Sequence, residues 1–539
     1  MAQAVKVRTG GVLVAETLDA LGAQVAFGVP GIHALAIWDG LRTSSVRTIG
    51  LRTELNAGFA ADGYARTTGR PAVLLLSTGP GALVSLASLM EAASAHVPVV
   101  AIASQIPREL IGRGRGYLHE LGDQLASFAP VVKWAARVKA DTELPGLLAE
   151  AWQQALAPPS GPVFVEIPVD VLTGETDASA SLRAGHAPPL SHPAEDVLRE
   201  AAELIDRSER PVVWAGGGVL RSGAWDELAD LARRLDAPVA TTYMGKGAFP
   251  ESEPLSAGSA CDEAAFRELI EDADVVLAVG TELGAETTGQ YGLTFAEKLI
   301  QIDAVPERIG TTYPALGIVA DARSALRELL GRVAERPRDG AVRAARVRSR
   351  IAAGLAEQDR DLERGLLATI RAAVPPDTVT AWDMTILAYW AAAHFPVTAP
   401  RTFHYPLGSG TLGYAWPAAL GAAAARPGAR SLAVVGDGGF LYGTQELAAA
   451  RQHGLDVAVL VVDDGGYGIL REYQRDSFGA TTAVDLEEPD FVAVAEAYGV
   501  AAERTTPDDL SPALERALAH EGPALVHLPV LLRMWTPTA

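Results

Sequence analysis

Two aspartates stand 27 residues apart (464 − 437), Asp437 in Val434-Val435-Gly436-Asp437-Gly438-Gly439-Phe440 and Asp464 in Asp463-Asp464-Gly465-Gly466-Tyr467-Gly468. Each follows a β-branched apolar run that reads as a buried strand, and the segment Thr444–His453 between them reads as a helix. In a parallel sheet the C-terminal ends of the strands share one edge, and ligands bind there. Asp437 and Asp464 therefore converge on one point. Hard carboxylate oxygens at that point suit Mg²⁺, which usually takes one or two carboxylates together with phosphate oxygens. Gly436, Gly438, Gly439, Gly466 and Gly468 let backbone N–H groups approach those phosphates where a helix starts. A lone Gly-Asp-Gly is also a common tight turn. The second strand, the paired acids and the Tyr467-Gly468 offset favour the metal and diphosphate.

A second chemical candidate is Glu54, in Thr53-Glu54-Leu55-Asn56-Ala57-Gly58-Phe59-Ala60-Ala61-Asp62-Gly63-Tyr64-Ala65-Arg66. The segment reads as a helix with a small-residue face, and small residues permit close packing. A Glu buried there has a raised pKa and can hold or share a proton. The alternative is a surface Glu stabilised by the helix dipole. A third candidate is the glycine-rich run Gly408-Ser409-Gly410-Thr411-Leu412-Gly413-Tyr414.

These residues need a scaffold, and the length supplies one. At roughly 150 residues per domain, 539 residues predict three or four domains. Apolar runs at Ala72–Leu76, Val97–Ala103, Val163–Ile167, Val212–Ala215, Val275–Val279, Leu432–Val435 and Val457–Val462 alternate with amphipathic segments. Runs of this kind, bounded by Gly or Pro, are strands covered on both faces, so three α/β domains with doubly wound parallel sheets are expected. Thr176–Glu195 reads as a linker, and Gly331–Pro376 as a second boundary with an exposed helix in its middle. The domains expected are 1–175, 196–332 and 365–539. No repeat relates them at the residue level.

Composition excludes several functions. Forty-five Lys+Arg against 66 Asp+Glu give a net charge of −21, which disfavours nucleic acid and anionic membranes as partners. Hydrophobic residues at 49% and charged residues at 21% exclude wholesale disorder. The single cysteine, Cys261, excludes an internal disulfide framework and fits a cytoplasmic location. Met1–Val14 lacks a signal-peptide core, and no apolar run reaches the roughly eighteen residues of a membrane span.

The motifs resemble those of the thiamine diphosphate (ThDP) enzymes, in the group of acetohydroxyacid synthase, benzoylformate decarboxylase and benzaldehyde lyase. That resemblance covers nearly the whole chain. It implies pyrimidine-binding, central Rossmann-like and diphosphate-binding domains in that order. It also implies a homodimer or homotetramer, with the cofactor between the first domain of one chain and the third of another. By the same resemblance Asp437, Asp464 and the Gly466 carbonyl ligate Mg²⁺; the family usually has Asn where Asp464 stands. Arg52, Glu54, Ala57, Ala61, Gly63, Ala65 and Arg66 match the segment whose Glu faces the aminopyrimidine ring. Glu54 then favours the imino tautomer that creates the ylide nucleophile, while the cofactor carries the hard chemistry. Gly410 would meet the 4′-amino group with its carbonyl, and Leu412 would be the apolar wedge beneath the bent cofactor.

Within the group, two substrate positions depart from the synthases. Glu286, in Gly280-Thr281-Glu282-Leu283-Gly284-Ala285-Glu286-Thr287-Thr288-Gly289, stands where the synthases hold the acceptor carboxylate with Arg. Tyr473 replaces their selectivity Trp. Leu470 and a lone His96 depart from the pyruvate decarboxylases. The Gly31-Ile32-His33 placement resembles that of benzaldehyde lyase. Gly112-Arg113-Gly114-Arg115-Gly116-Tyr117-Leu118-His119-Glu120-Leu121-Gly122-Asp123-Gln124 resembles the bacterial 5-guanidino-2-oxopentanoate decarboxylases. His33 and His119 are candidate proton carriers, since imidazole titrates near neutrality, or else surface loop residues.

The implied reaction is decarboxylation of a 2-oxo acid, with release of an aldehyde or carboligation to a second carbonyl. Glu286 points to a cationic substrate tail such as guanidinium. The alternatives are an acetolactate synthase large subunit, with or without FAD beside Trp214-Ala215-Gly216-Gly217-Gly218, and a non-catalytic ThDP-binding paralogue.

Overall fold

The computed structural model describes residues 8–180, 192–295 and 298–538. Three six-stranded sheets follow one another along the chain, and every strand pairing within them is parallel. The expected doubly wound α/β architecture is therefore the one observed. Two of the apolar runs, Ala72–Leu76 and Val275–Val279, are strands over those same residues, buried along their whole length. Helices cover both faces of such strands, so no polar alternation is needed.

The first sheet runs Arg47–Gly50, Val25–Gly28, Ala72–Leu76, Val99–Gln105, Val163–Pro168, Trp134–Arg137 in spatial order. The third runs Phe403–His404, Val379–Trp382, Ser431–Gly436, Val457–Asp463, Ala524–Pro529, Ala501–Arg504. By position in the chain these two orders are the same: second, first, third, fourth, sixth, fifth. The central sheet differs. It reverses direction between Pro211–Ala215 and Val275–Val279, the switch point of a Rossmann-like sheet.

The outer domains meet through equivalent helices. Glu54–Thr68 and Ala415–Ala425 each connect the second and third strands of their sheets, and they cross in close contact. Glycine makes the approach possible: a Cβ on Gly63 would lie 2.1 Å from the Ala418 carbonyl oxygen.

Two boundaries differ from expectation. The middle of Gly331–Pro376 is two helices, Gly340–Ala356 and Asp361–Ala373, and neither is simply exposed. Ala344, Val347, Ile351 and Leu355 form a buried stripe at helical spacing, while Arg343 donates to the Pro211 carbonyl and Arg348 to that of Ser256. The arginines act as struts to the central sheet. Most of the linker expected over Thr176–Glu195 lies outside the described residues, and Glu195 already begins the helix Glu195–Arg207. Among the described residues no helix is long and apolar enough to cross a membrane.

Candidate active site

The first domain gathers Glu54, His33 and His119. Thr53 caps the helix by accepting from the Asn56 N–H at 3.2 Å, which fixes Glu54 in the first turn. Glu54 is half-buried, and burial raises its pKa, with a main-chain hydrogen bond opposing. A Cβ on Gly81 would stand 2.8 Å from Glu54 Oε1, so the Ser77–Gly81 turn closes over the carboxylate. That turn is pinned by Gln124, whose Oε1 accepts from the Gly79 N–H at 2.7 Å.

His33 and His119 lie edge to face with ring centroids 5.3 Å apart, and Tyr117 is 5.8 Å from His33. His33 is 6% exposed, and its Nδ1 is buried without a partner, as is that of His119. Burial first, and the neighbouring His119 second, lower the pKa of His33. His33 therefore favours the neutral imidazole at neutral pH.

The third domain holds the carboxylates. The turn after Gly436 is itself helical over Asp437–Phe440, and the helix expected over Thr444–His453 spans Glu446–Gln452. Asp437 starts that turn at 2% exposure. Asp463 ends the adjacent strand and Asp464 follows it. Asp437 Oδ2, Asp464 Oδ1 and Glu488 Oε1 are all buried without hydrogen-bond partners, an arrangement that a hard cation satisfies. Ligand oxygens of Asp437, Asp463 and Glu488 lie within 4.8 Å of one another.

Burial, and then the crowding of like charges, set the protonation there. Asp464 is pushed up to about 7, by burial first and then by Asp437. Glu488 is pushed up to about 10 by burial and by the neighbouring carboxylates Asp437 and Asp463. Arg471 offsets part of the charge by donating to the Asp464 and Gly465 carbonyls and to Asp485. Asp463 also takes a 2.7 Å bond from His527 Nε2.

Asp463 and Glu488, not the expected Asp464, stand with Asp437 in that group of close ligand oxygens. Asp463 adjoins Asp464 in the same motif, and nothing in the local sequence marks Glu488. The glycines form a tight cradle. A Cβ on Gly438 would meet the Tyr467 ring at 2.6 Å, one on Gly468 would meet Asp464 at 1.8 Å, and Gly466 is held at φ +150° against Val484.

Gly410 sits at φ +65° at the exposed crest of its loop, with Met384 Cε as the nearest neighbour of a built Cβ at 3.8 Å. Leu412 is half-buried in the same loop. Asp383, absent from the sequence-derived list, accepts from the N–H groups of Met384, Gly413 and Ala415, and burial pushes it up to about 6.

Glu286 is exposed on the short helix Ala285–Thr288 of the central domain. Tyr389 and Tyr473 of the third domain are raised in part by its charge, so the three face one region. Leu470 lies one turn before Tyr473, and both are about half exposed. Glu54, by contrast, faces its own domain. Its helix reaches the third domain at Asn56, which donates to Glu446 Oε1 at 3.0 Å, and at Asp62 and Arg66. Each chain thus carries two groups of candidate residues, one per outer domain.

Similarity to known proteins agrees with this geometry. Residues 8–127 match the N-terminal TPP binding domain of thiamine pyrophosphate enzymes, 198–329 their central domain and 383–528 their C-terminal TPP binding domain. A probable 2-ketoarginine decarboxylase, AruI, of Pseudomonas aeruginosa is 37% identical over 530 residues, covering 97% of this chain and 94% of that protein. A probable acetolactate synthase large subunit of Methanocaldococcus jannaschii is 33% identical, covering 96% and 91%. The solved ThDP-dependent 4-hydroxybenzoylformate decarboxylase of Rhodococcus jostii RHA1 shares the fold, with a TM-score of 0.84 at 24% identity over 98% of this chain and all of that one. The chain belongs to the thiamine pyrophosphate enzyme family.

Proposed function

We propose that this protein is a ThDP- and Mg²⁺-dependent decarboxylase of a 2-oxo acid with a cationic, guanidinium-like tail. The observation that carries the reading is Glu54, a carboxyl with a raised pKa held at a capped helix start under the Ser77–Gly81 turn. Thiamine diphosphate, when bound, would supply a carbon nucleophile and an electron sink for decarboxylation. Glu54 holds the proton that activates the aminopyrimidine. Asp437, with Asp464 and the Gly466 carbonyl, holds the cation, and Asp463 and Glu488 stand ready to do so. The glycine cradle would admit the diphosphate, Gly410 and Leu412 would hold the cofactor from the Gly408–Tyr414 loop, and neutral His33 with His119 moves protons at the substrate.

Glu286, facing Tyr389 and Tyr473, pairs with the cationic tail, and Leu470 lines the apolar stem. The 2-ketoarginine decarboxylase relative supports that substrate class. The placement of Glu54 and the carboxylate cluster in separate groups supports a site shared by two chains of a homodimer or homotetramer. CO₂ release with ThDP and Mg²⁺ tests the reading across a panel including 5-guanidino-2-oxopentanoate and pyruvate. Preference for the guanidino acid is expected, and no CO₂ from any member overturns it.

A second reading, a flavin-bearing synthase, is favoured by one observation. A cavity of about 580 Å³ opens at the switch point of the central sheet, walled by Gly217, Gly218, Arg221, Asp303 and Arg308. That volume suits a nucleotide-sized ligand. Arg221 is accessible from the cavity yet surrounded by protein, and burial pulls it down to about 10. A flavin absorption band in the purified protein would support this reading. A colourless protein with no thermal shift on adding FAD would remove it.

A further inference from the structure

Glu91 is fully buried on the helix Leu86–Ser94 of the first domain, yet both its oxygens are engaged across or beside the domain boundary. Oε2 accepts from the Ser409 N–H and from the Ser409 hydroxyl, each at 2.7 Å. Oε1 pairs with Arg66 Nη2 at 2.8 Å, and Arg66 Nε pairs with Asp62 at 2.6 Å. Asp62 Oδ1 in turn accepts from the Tyr414 hydroxyl at 2.7 Å, and Arg66 lies over the Tyr414 ring at 5.2 Å. One buried chain of charges, Glu91–Arg66–Asp62, thus grips the Gly408–Tyr414 loop near both its ends. Gly408 leaves no slack, since a Cβ there would stand 3.0 Å from Glu91 Oε1 and from the Ala95 nitrogen. Between those anchors the crest around Gly410 is open.

We propose that Glu91, acting with Arg66 and Asp62, is a positioning residue that sets the Gly408–Tyr414 loop for cofactor binding. The proposal rests on the reading of that loop as part of the thiamine diphosphate cradle. Buried ion pairs are poor stabilisers compared with apolar packing, because desolvation offsets their attraction. What they supply is direction. A carboxylate that takes the N–H and the hydroxyl of one residue fixes that residue's backbone orientation, and a second anchor at Tyr414 fixes the exit. The loop crest then presents the Gly410 carbonyl and Leu412 without having to be ordered by the ligand, which raises affinity by lowering the ordering cost. The grip comes from the first domain, so the geometry of a loop in the third domain depends on how the two outer domains dock.

The test uses the full-length protein. ThDP affinity is measured with Mg²⁺ by intrinsic fluorescence, and hydrogen exchange is followed in the cofactor-free protein for a peptide spanning residues 408–414. Wild type, Glu91→Gln and Ser409→Ala are compared, with Glu268→Gln on the surface as control. Glu91→Gln should weaken ThDP binding by about tenfold or more, the scale of a lost charge-assisted hydrogen bond, and Ser409→Ala by less. Exchange at 408–414 should quicken in both, while Ser431–Gly436 keeps its protection. If Glu91→Gln fails to fold, Ser409→Ala alone decides: wild-type exchange and wild-type ThDP affinity overturn the proposal. Faster exchange with unchanged ThDP affinity also overturns it, since the network would then serve structure alone. Wild-type protein that does not bind ThDP overturns instead the reading on which the proposal rests.

Discussion

A Cβ on Gly421 would lie 1.9 Å from the carbonyl oxygen of Ala60, so the crossing helices of the two outer domains touch backbone to backbone. Alanine normally stabilises a helix relative to glycine by about 0.5–1 kcal/mol. Here the sign reverses. Gly421→Ala must push the helices apart and should lower stability by about 1–3 kcal/mol, the usual range for overpacking. Chemical denaturation of the cofactor-free protein checks it, and a stabilised variant would contradict the crossing.

Glu54→Gln should reduce turnover by about two to four orders of magnitude while ThDP still binds, because the role proposed for Glu54 is proton transfer. It should also stabilise the cofactor-free protein. The folded-state pKa of Glu54 is raised, so ionising it costs stability once the pH exceeds its unfolded value of about 4.3. Gln carries no such cost. Thermal midpoints at pH 4 and pH 8 should therefore diverge between the two proteins, with the variant ahead at pH 8.

Asp464→Asn offers a sharper pH signature. Asp464 is held near 7 in the fold, against about 3.9 in an unfolded chain. Its destabilising contribution grows between those two values and is complete above the higher one. In chelator, the variant should gain over wild type progressively from pH 4 to pH 7 and no further beyond. Metal titration should show weaker divalent binding in the variant, which has one carboxylate fewer.

Glu286→Ala should raise KM for 5-guanidino-2-oxopentanoate by about tenfold or more, the scale of a hydrogen bond to a charged group. Kinetics with pyruvate should be nearly unchanged, since its methyl group has nothing to pair. Equal effects on both substrates would show that Glu286 does not face the tail.

His404 is 1% exposed in the strand Phe403–His404, and burial, with Arg66 and Arg426 nearby, pulls it down to about 3. The fold requires it neutral. Its contribution is intact above the unfolded value of about 6.5 and is lost as the pH falls toward 3. His404→Phe should flatten the acid limb of a stability profile between pH 6.5 and pH 4.

The strands were legible because burial on both faces leaves an unmistakable sequence trace, as in Val275–Val279. That Asp437 and Asp464 come near each other was legible because both lie within one strand–helix–strand unit, where spacing along the chain stands in for distance; that Asp463 is the one grouped with Asp437 and Glu488 was not. Glu91 and Glu488 had no such trace. Glu91 finds Ser409 across 318 residues, and only the docking of two domains brings them together. The Asp62–Arg66 pair sits at helical spacing, but nothing local in the sequence marks its bridge to Tyr414. The arginine-rich helix Gly340–Ala356 misled in another way. Its charges suggested solvent on every side, while Ala344, Val347, Ile351 and Leu355 already marked a buried seam.

The shared strand order of the first and third sheets carries a consequence for ancestry. Two domains that follow one path with unrelated residues behave as diverged copies of a single ancestral unit, now fused through the central domain. The crossing of Glu54–Thr68 with Ala415–Ala425 would then be the relic of an interface between identical partners. On the proposed function, one domain carries the acid for the proton and the other the acids for the cation. One strand path thus serves two different proposed roles within a single chain.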